Sequence, residues 1–335
     1  MLYSGIAWTS AGFVIETLDE EGRQALPSAR FGPGQAAAIT TYLKSAGSPL
    51  VAVVESTNGV LDGGLVLAGI AVYRADPWSL PERPLLASVP ARDLAEVARR
   101  DLSSLTRLEI TGGTLTGRID ELVAAIDSSA ADDERMRKAG RCLSHGSREG
   151  REIALTFDDG PKPPYTGQIL DILAEYQIPA TFFCVGLQSS AFPDEIARIR
   201  EQKHGLGNHT WSHPYLPDLS RPQLSEQITR TTELLGGGTL FRPPYGSRTP
   251  EVMSWLGEED VTIALWDVEP NDWARPGPEE IARIALEQTR PGSIILLHDG
   301  GGDRSQTVAA LPALIEGLFE RDYRFVLVDE LLKGR

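Results

Sequence analysis

Cysteine is scarce in this chain: 335 residues carry two, Cys142 and Cys184. Cys142 falls in a polar stretch and Cys184 in an apolar one, so the sequence predicts free thiols and excludes a disulfide scaffold. Neither has the spacing of a thiolate metal site. No apolar run reaches the roughly 18 residues of a membrane span. The first 18 residues lack the basic region and small-residue cleavage site of a secretory signal. The expectation is a cytoplasmic protein with no membrane partner. Positive charge is short as well, with 32 Lys and Arg against 47 Asp and Glu and a formal net charge of -15. Phosphate backbones are bound through Lys and Arg, so nucleic acid is not an expected partner. The remainder, 41% hydrophobic and 24% charged, is ordinary globular composition. Its length suffices for two domains, or for one barrel with an extension.

Composition shifts near 128–151, where a small, charged stretch (128–135) and a turn-forming one (145–151) flank a predicted exposed helix. The reading is a small α/β domain at 1–127, a linker at 128–150 and a second domain at 151–335. In the first domain the pattern predicts a hairpin (5–8 and 12–16), a third strand (23–29), a helix (35–46) and a strand (50–55). A helix (61–68), a strand (71–74), a Pro-rich loop (76–90) and helices at 91–105 and 117–127 follow. In the second domain, strands at 153–157, 180–185, 204–208, 240–242, 261–266, 293–298 and 324–328 alternate with helices. Those helices are predicted at 168–176, 194–202, 221–235, 250–257, 278–289 and 307–321. Such repetition predicts a parallel sheet or (β/α) barrel, with its site at the C-terminal strand ends.

Five polar clusters stand at such ends, each closing an apolar run. In order they are Thr156-Phe157-Asp158-Asp159-Gly160-Pro161, His209-Thr210-Trp211-Ser212-His213, Arg242-Pro243-Pro244-Tyr245, Asp272-Trp273 and Leu296-Leu297-His298-Asp299. They supply two adjacent carboxylates, two histidines four apart, an arginine, an isolated carboxylate and a third histidine. That inventory can hold one divalent metal and still leave an acid and a base for hydrolysis.

These motifs resemble those of the polysaccharide deacetylase family (chitin deacetylase-like, carbohydrate esterase family four) over residues 151–333. The resemblance implies a distorted (β/α) barrel and one divalent cation, Zn²⁺ first, with Co²⁺ or Ni²⁺ as alternatives. It implies removal of acetyl groups from an N-acetylated saccharide: a chitooligosaccharide, a peptidoglycan-type chain or a small glycoconjugate.

His209 and His213, four apart, would share one face of a helical turn. Pro214 would end that turn, and Asp159 is the natural third ligand. Two histidines and a carboxylate also suit non-haem iron, which makes an oxygenase a rival class. The resemblance makes Asp158 the general base, against the alternative of a turn-closing carboxylate, and Arg242 its partner. His298 is the candidate acid, oriented and kept cationic by Asp272. The backbone N–H of Tyr245 would face the oxyanion. Tyr245, Trp273 and Leu296 would wall the substrate pocket, ordinary packing being the other reading of these three.

Glu269 departs from the family's Asp-x-x-Asp-Trp pattern, and Asp267 is a candidate to compensate. Within the fold the alternatives are an O-acetyl (xylan-type) esterase and a catalytically idle carbohydrate-binding module. The first domain faintly resembles ribonuclease H-like domains, through 53–59 and 72–77. It has no Asp in its first strand, which disfavours two-metal chemistry and leaves a structural, substrate-restricting or oligomer-forming module.

Overall fold

The computed structural model describes residues 1–47, 49–55, 61–75, 80–81, 83–108 and 119–333. Among them, no helix is long and apolar enough to cross a membrane. The first sheet comprises β1 (Leu2–Thr9), β2 (Gly12–Leu18), β3 (Gln24–Phe31), β4 (Leu50–Val54), β5 (Ala71–Arg74) and β6 (Thr106–Arg107), in the order β3-β2-β1-β4-β5-β6. β1, β2 and β3 form an antiparallel meander, and β4 and β5 continue it parallel to β1. Side chains alternate across the sheet. Ala52 and Val54 of β4 join Ile39, Leu43 and Leu65 on one face. Val53 joins Leu94 and Ala98 on the other. Helix Ala91–Arg100 crosses β1 closely enough that a Cβ on Gly5 would lie 1.8 Å from the Ala91 carbonyl oxygen, so no other residue fits there.

Two features of this stretch of chain differ from expectation. The helix predicted at 91–105 stops at Arg100, because Asp101 turns extended (φ -153°) and its side chain accepts from Ser103 N. The chain then enters β6, which the sequence did not signal. The stretch 128–150 holds the expected helix, as Ala130–Lys138, and also β7 (Cys142–Leu143), a strand of the second sheet with Cys142 buried, where a linker was expected. The predicted helix at 117–127 is observed as Ile119–Ser128, while 117–118, and 56–59 and 76–77 of the ribonuclease H-like pattern, lie outside the described residues.

The second sheet adds β8 (Glu152–Asp158), β9 (Thr181–Cys184), β10 (Gly205–Asn208), β11 (Leu240–Phe241), β12 (Thr262–Ala264), β13 (Ile294–His298) and β14 (Arg324–Phe325). Its order is β13-β8-β9-β10-β11-β12-β7, all parallel, with β14 pairing β8. The sheet curls into a distorted half-barrel. Past β12, Val268 bridges Ile295 of β13, and past β7, His145 bridges Ser293. The strand expected at 324–328 is short, and Val328 opens a final helix, Val328–Lys333.

Alternation along β8 fixes what faces the site. Ile153, Leu155 and Phe157 pack outward with Leu170, Leu173, Leu311 and Leu314 of the covering helices. Ala154, Thr156 and Asp158 therefore point inward. The two sheets share an apolar cluster as well: Val185, Leu187 and Trp211 of the second half join Trp8, Phe13 and Val54 of the first.

Candidate metal centre and active site

Asp158 ends β8 and Asp159 follows it with a left-handed backbone (φ 74°), which turns the two carboxylates apart. Gly160 is required next, since a Cβ there would lie 2.0 Å from the Asp299 carboxylate. The expected helical turn at 209–213 does not form. Instead the chain leaves β10 as a loop with Thr210 and His213 both left-handed (φ 66° and 56°). Polar side chains hold it open. Asn208 Oδ1 accepts from Thr210 N at 2.8 Å, and Gln227 Oε1 accepts from Trp211 N and Ser212 N at 2.8 and 2.9 Å.

That loop brings His209 Nε2 to 3.5 Å and His213 Nε2 to 3.0 Å from the same oxygen, Asp159 Oδ1. Three ligands about 2.1 Å from a shared tetrahedral ion lie roughly 3.4 Å apart, so the spacing suits a cation. Among the described residues Asp159 Oδ1 is buried without a hydrogen-bond partner, and the donor atoms of Asp159, His209 and His213 fall within 4.8 Å of one another. His209 Nδ1 lies 2.7 Å from the Arg242 carbonyl. With the proton on Nδ1, Nε2 presents its lone pair to the centre. Burial works against ionising Asp159, but the imidazoles, His213 foremost, outweigh it and hold the carboxyl well below the usual range. The residues present fit a divalent ion.

Arg242 follows β11 and is fully buried. Its Nη1 donates to Asp158 Oδ1 at 2.7 Å and to Thr156 Oγ1 at 2.8 Å, and its Nε to the Ala264 carbonyl at 2.9 Å. The guanidinium carbon lies 4.0 Å from the Phe183 ring centroid. Burial draws its pKa down, and Asp158 pulls against that shift. Asp158 Oδ2 stands 3.7 Å from His209 Nε2, beside the cluster of Asp159, His209 and His213.

On the other side, His298 ends β13. Its Nδ1 lies 2.7 Å from Asp272 Oδ1, while its backbone N donates to Oδ2 at 2.9 Å. Thr307 Oγ1 donates to the same Oδ2 at 2.7 Å. Burial disfavours the imidazolium, but Asp272 overcomes it and raises the His298 pKa to about 9. Leu296 shares the inward face with His298 by strand alternation and is buried. Tyr245 sits left-handed (φ 60°) in the turn after Arg242, its ring centroid 4.5 Å from that of His213. Trp273, after Asp272, is exposed. Asp158, Asp159, His209, His213, Arg242, Asp272 and His298 thus lie at or just past the C-terminal ends of their strands.

Asp267 does not compensate for Glu269. Its carboxylate accepts from Arg148, Ser293 and Ile294 N at the seam of the half-barrel, whereas Glu269 accepts from Trp266 and Trp273. The sequence also passed over Thr156, Asn208, Gln227 and Thr307. Asn208 adjoins His209 and Thr156 faces inward two residues before Asp158, signals that were available. Gln227 and Thr307 lie on distant helices and gave none. Asp299 closes the fifth cluster and had no assigned role. It accepts from Thr166 Oγ1 at 2.6 Å, and burial, with the Asp159 and Asp158 charges, pushes it up to about 7 despite that bond.

A curled parallel sheet whose strand ends gather this set defines a (β/α) hydrolase architecture. The chain belongs to the polysaccharide deacetylase family. The family's model, "Polysaccharide deacetylase", matches residues 145–264. A peptidoglycan-N-acetylglucosamine deacetylase of Bacillus cereus is 41% identical over 187 residues, which cover 54% of this chain and 88% of that protein. A chitooligosaccharide deacetylase of Sinorhizobium fredii is 37% identical over 187 residues, covering 51% and 87%. Among solved structures, the Bc1960 peptidoglycan N-acetylglucosamine deacetylase, in complex with an N-hydroxybenzamide, superposes with a TM-score of 0.57. It is 33% identical over 60% of this chain and 96% of that one.

Proposed function

We propose that this protein is a metal-dependent N-deacetylase of an N-acetylated saccharide, with Asp159, His209 and His213 holding one Zn²⁺, or Co²⁺ or Ni²⁺ in its place. The observation that carries the reading is the flanking of that triad by two groups, each held by a buried partner. Asp158, tied to buried Arg242, stands on one side, and His298, tied to buried Asp272, on the other. A divalent ion there acidifies water and polarises an acyl carbonyl. Asp158 accepts the proton of the attacking water, and the Arg242 guanidinium, donating to its Oδ1 at 2.7 Å, keeps it aimed. The Tyr245 N–H donates to the oxyanion. His298, cationic through Asp272, protonates the departing nitrogen, without which an amine leaves poorly. Tyr245, Leu296 and Trp273 wall the pocket for the acetyl group and the saccharide. The buried free thiols Cys142 and Cys184 support a reducing compartment, the cytoplasm, as its location.

The test is acetate release from chitooligosaccharides, N-acetylglucosamine conjugates and acetylxylan, with and without chelator. Chelator-sensitive release from the N-acetylated substrates is expected. Release from acetylxylan alone would make it an O-acetyl esterase, and release from none an idle binding module.

A further inference from the structure

The carboxylate of Glu269 holds two tryptophans at once. Trp266 Nε1 donates to Oε2 at 2.9 Å and Trp273 Nε1 to Oε1 at 3.3 Å. The two indoles belong to different walls of the site. Trp266 lies 5.5 Å from the Arg242 guanidinium carbon, and a Cβ on Gly246 would come within 3.0 Å of its ring. It therefore backs both Arg242 and the Tyr245 turn. Trp273 follows Asp272, the partner of His298, and is 39% exposed, whereas Asp158, His209 and Asp272 are 3%, 2% and 1% exposed. Trp273 thus stands at the mouth, outside the reacting groups. Its backbone is fixed between left-handed Asn271 and Arg275 (φ 54° and 58°), which leaves the side-chain torsions as its freedom. An indole has a single donor, and Glu269 engages it.

We propose that Glu269 is a positioning residue that sets the Trp273 indole as a flat platform for a sugar ring beyond the acetylated one. It thereby makes the site favour oligosaccharides over single sugars. The inference rests on the deacetylase reading above. A rigid aromatic plane offers large apolar area at low entropic cost. Free to rotate, the same ring would have to be ordered by each substrate. Two indoles on separate walls need both carboxylate oxygens, and the side chain must reach both. Aspartate is one methylene too short, and glutamine keeps one acceptor.

The experiment measures kcat and KM on N-acetylglucosamine and on chitotetraose for E269A, E269D, E269Q, W273A and the double variant E269A/W273A. In E269A the KM for the tetramer should rise roughly 3–10-fold, the worth of one hydrogen bond, mainly without a fall in kcat, and the rise should shrink on the single sugar. E269Q should fall between E269A and the parent, with E269D close to E269A. Because both residues act through one platform, the double variant should lose no more than W273A. Additive losses, equal losses at both chain lengths, or a loss confined to kcat would overturn the proposal. Acrylamide quenching of tryptophan fluorescence supplies a readout independent of turnover. It should increase in E269A relative to the parent, but not in E269A/W273A relative to W273A. If the parent released no acetate from any saccharide, the deacetylase reading would fall on its own, and unchanged quenching in E269A would still overturn the hold on Trp273.

Discussion

At the scale of the residue, the proposed chemistry rests on two pairs, Asp158 with Arg242 and His298 with Asp272. Asp158→Asn keeps the Arg242 bond but has no base, so kcat should fall roughly 10²–10⁴-fold with metal content unchanged. Elemental analysis beside steady-state kinetics checks both halves, and near-normal turnover would return Asp158 to a turn-closing role. His209→Ala or His213→Ala should lose metal and activity together. For His298 the sign follows from Asp272: the raised pKa, about 9, keeps the acid form present below that pH and depletes it as pH rises through it. Removing the anion in Asp272→Asn should therefore shift the alkaline limb of kcat to lower pH, compared at equal metal loading. An unmoved limb would mean that another group donates the proton.

At the scale of the element, the site depends on strand ends and on the loops that leave them. The apolar runs of β8 and β13, each ending in a polar cluster, were readable, because parallel strands buried on both faces read as near-continuous hydrophobic runs. The loop at 209–213 was not. A four-residue spacing of histidines suggests a helical turn, yet Asn208 and Gln227 supply acceptors that compete for the backbone N–H groups a helix would leave unmet. Gln227→Ala should thus loosen the ligand geometry and weaken metal affinity by roughly 10–100-fold, as outer-shell losses do. Titration with Zn²⁺ against a competing chelator measures it. Arg242 gives the opposite case. Replacing it with Met leaves Asp158 buried without its charge partner, and stability should fall by about 3–5 kcal/mol, read from denaturant unfolding.

At the scale of the whole molecule, the two sheets are joined through Val185, Leu187 and Trp211, and Gln223 Nε2 donates to the Arg83 carbonyl across the same junction at 2.9 Å. Trp211 lies inside the loop at 209–213, so the first half packs against the back of the candidate site. Fragments of 150–335 and 129–335 both keep every motif and both uncover those three side chains, at about 1.5–3 kcal/mol for each large apolar side chain, but the fragment of 150–335 also loses β7. It should have a lower Tm and lower solubility than a fragment of 129–335, which retains β7 and helix Ala130–Lys138. Calorimetry and metal content of the two fragments against the full chain decide the point. Equal Tm values would show that β7 and its helix are dispensable.

What the sequence determined by itself is local. Apolar runs alternating with amphipathic segments specify strands and helices, and polar residues at run ends specify where chemistry gathers, because both follow from periods of 2 and 3.6. Those signals placed five polar clusters at strand ends, and the resemblance to the deacetylase family is what drew Asp158, Asp159, His209, His213, Arg242, Tyr245, Asp272, Trp273, Leu296 and His298 from them as one candidate set. The tertiary structure decided what depends on partners far along the chain. It joined Gln227 to the metal loop, Thr307 to Asp272 and Asp267 to the seam of the half-barrel, gave Cys142 a strand instead of a linker, and set Glu269 between two indoles. A hydrogen bond depends on separation in space, and side chains with no periodic signal declare their partners only when the sheet has curled.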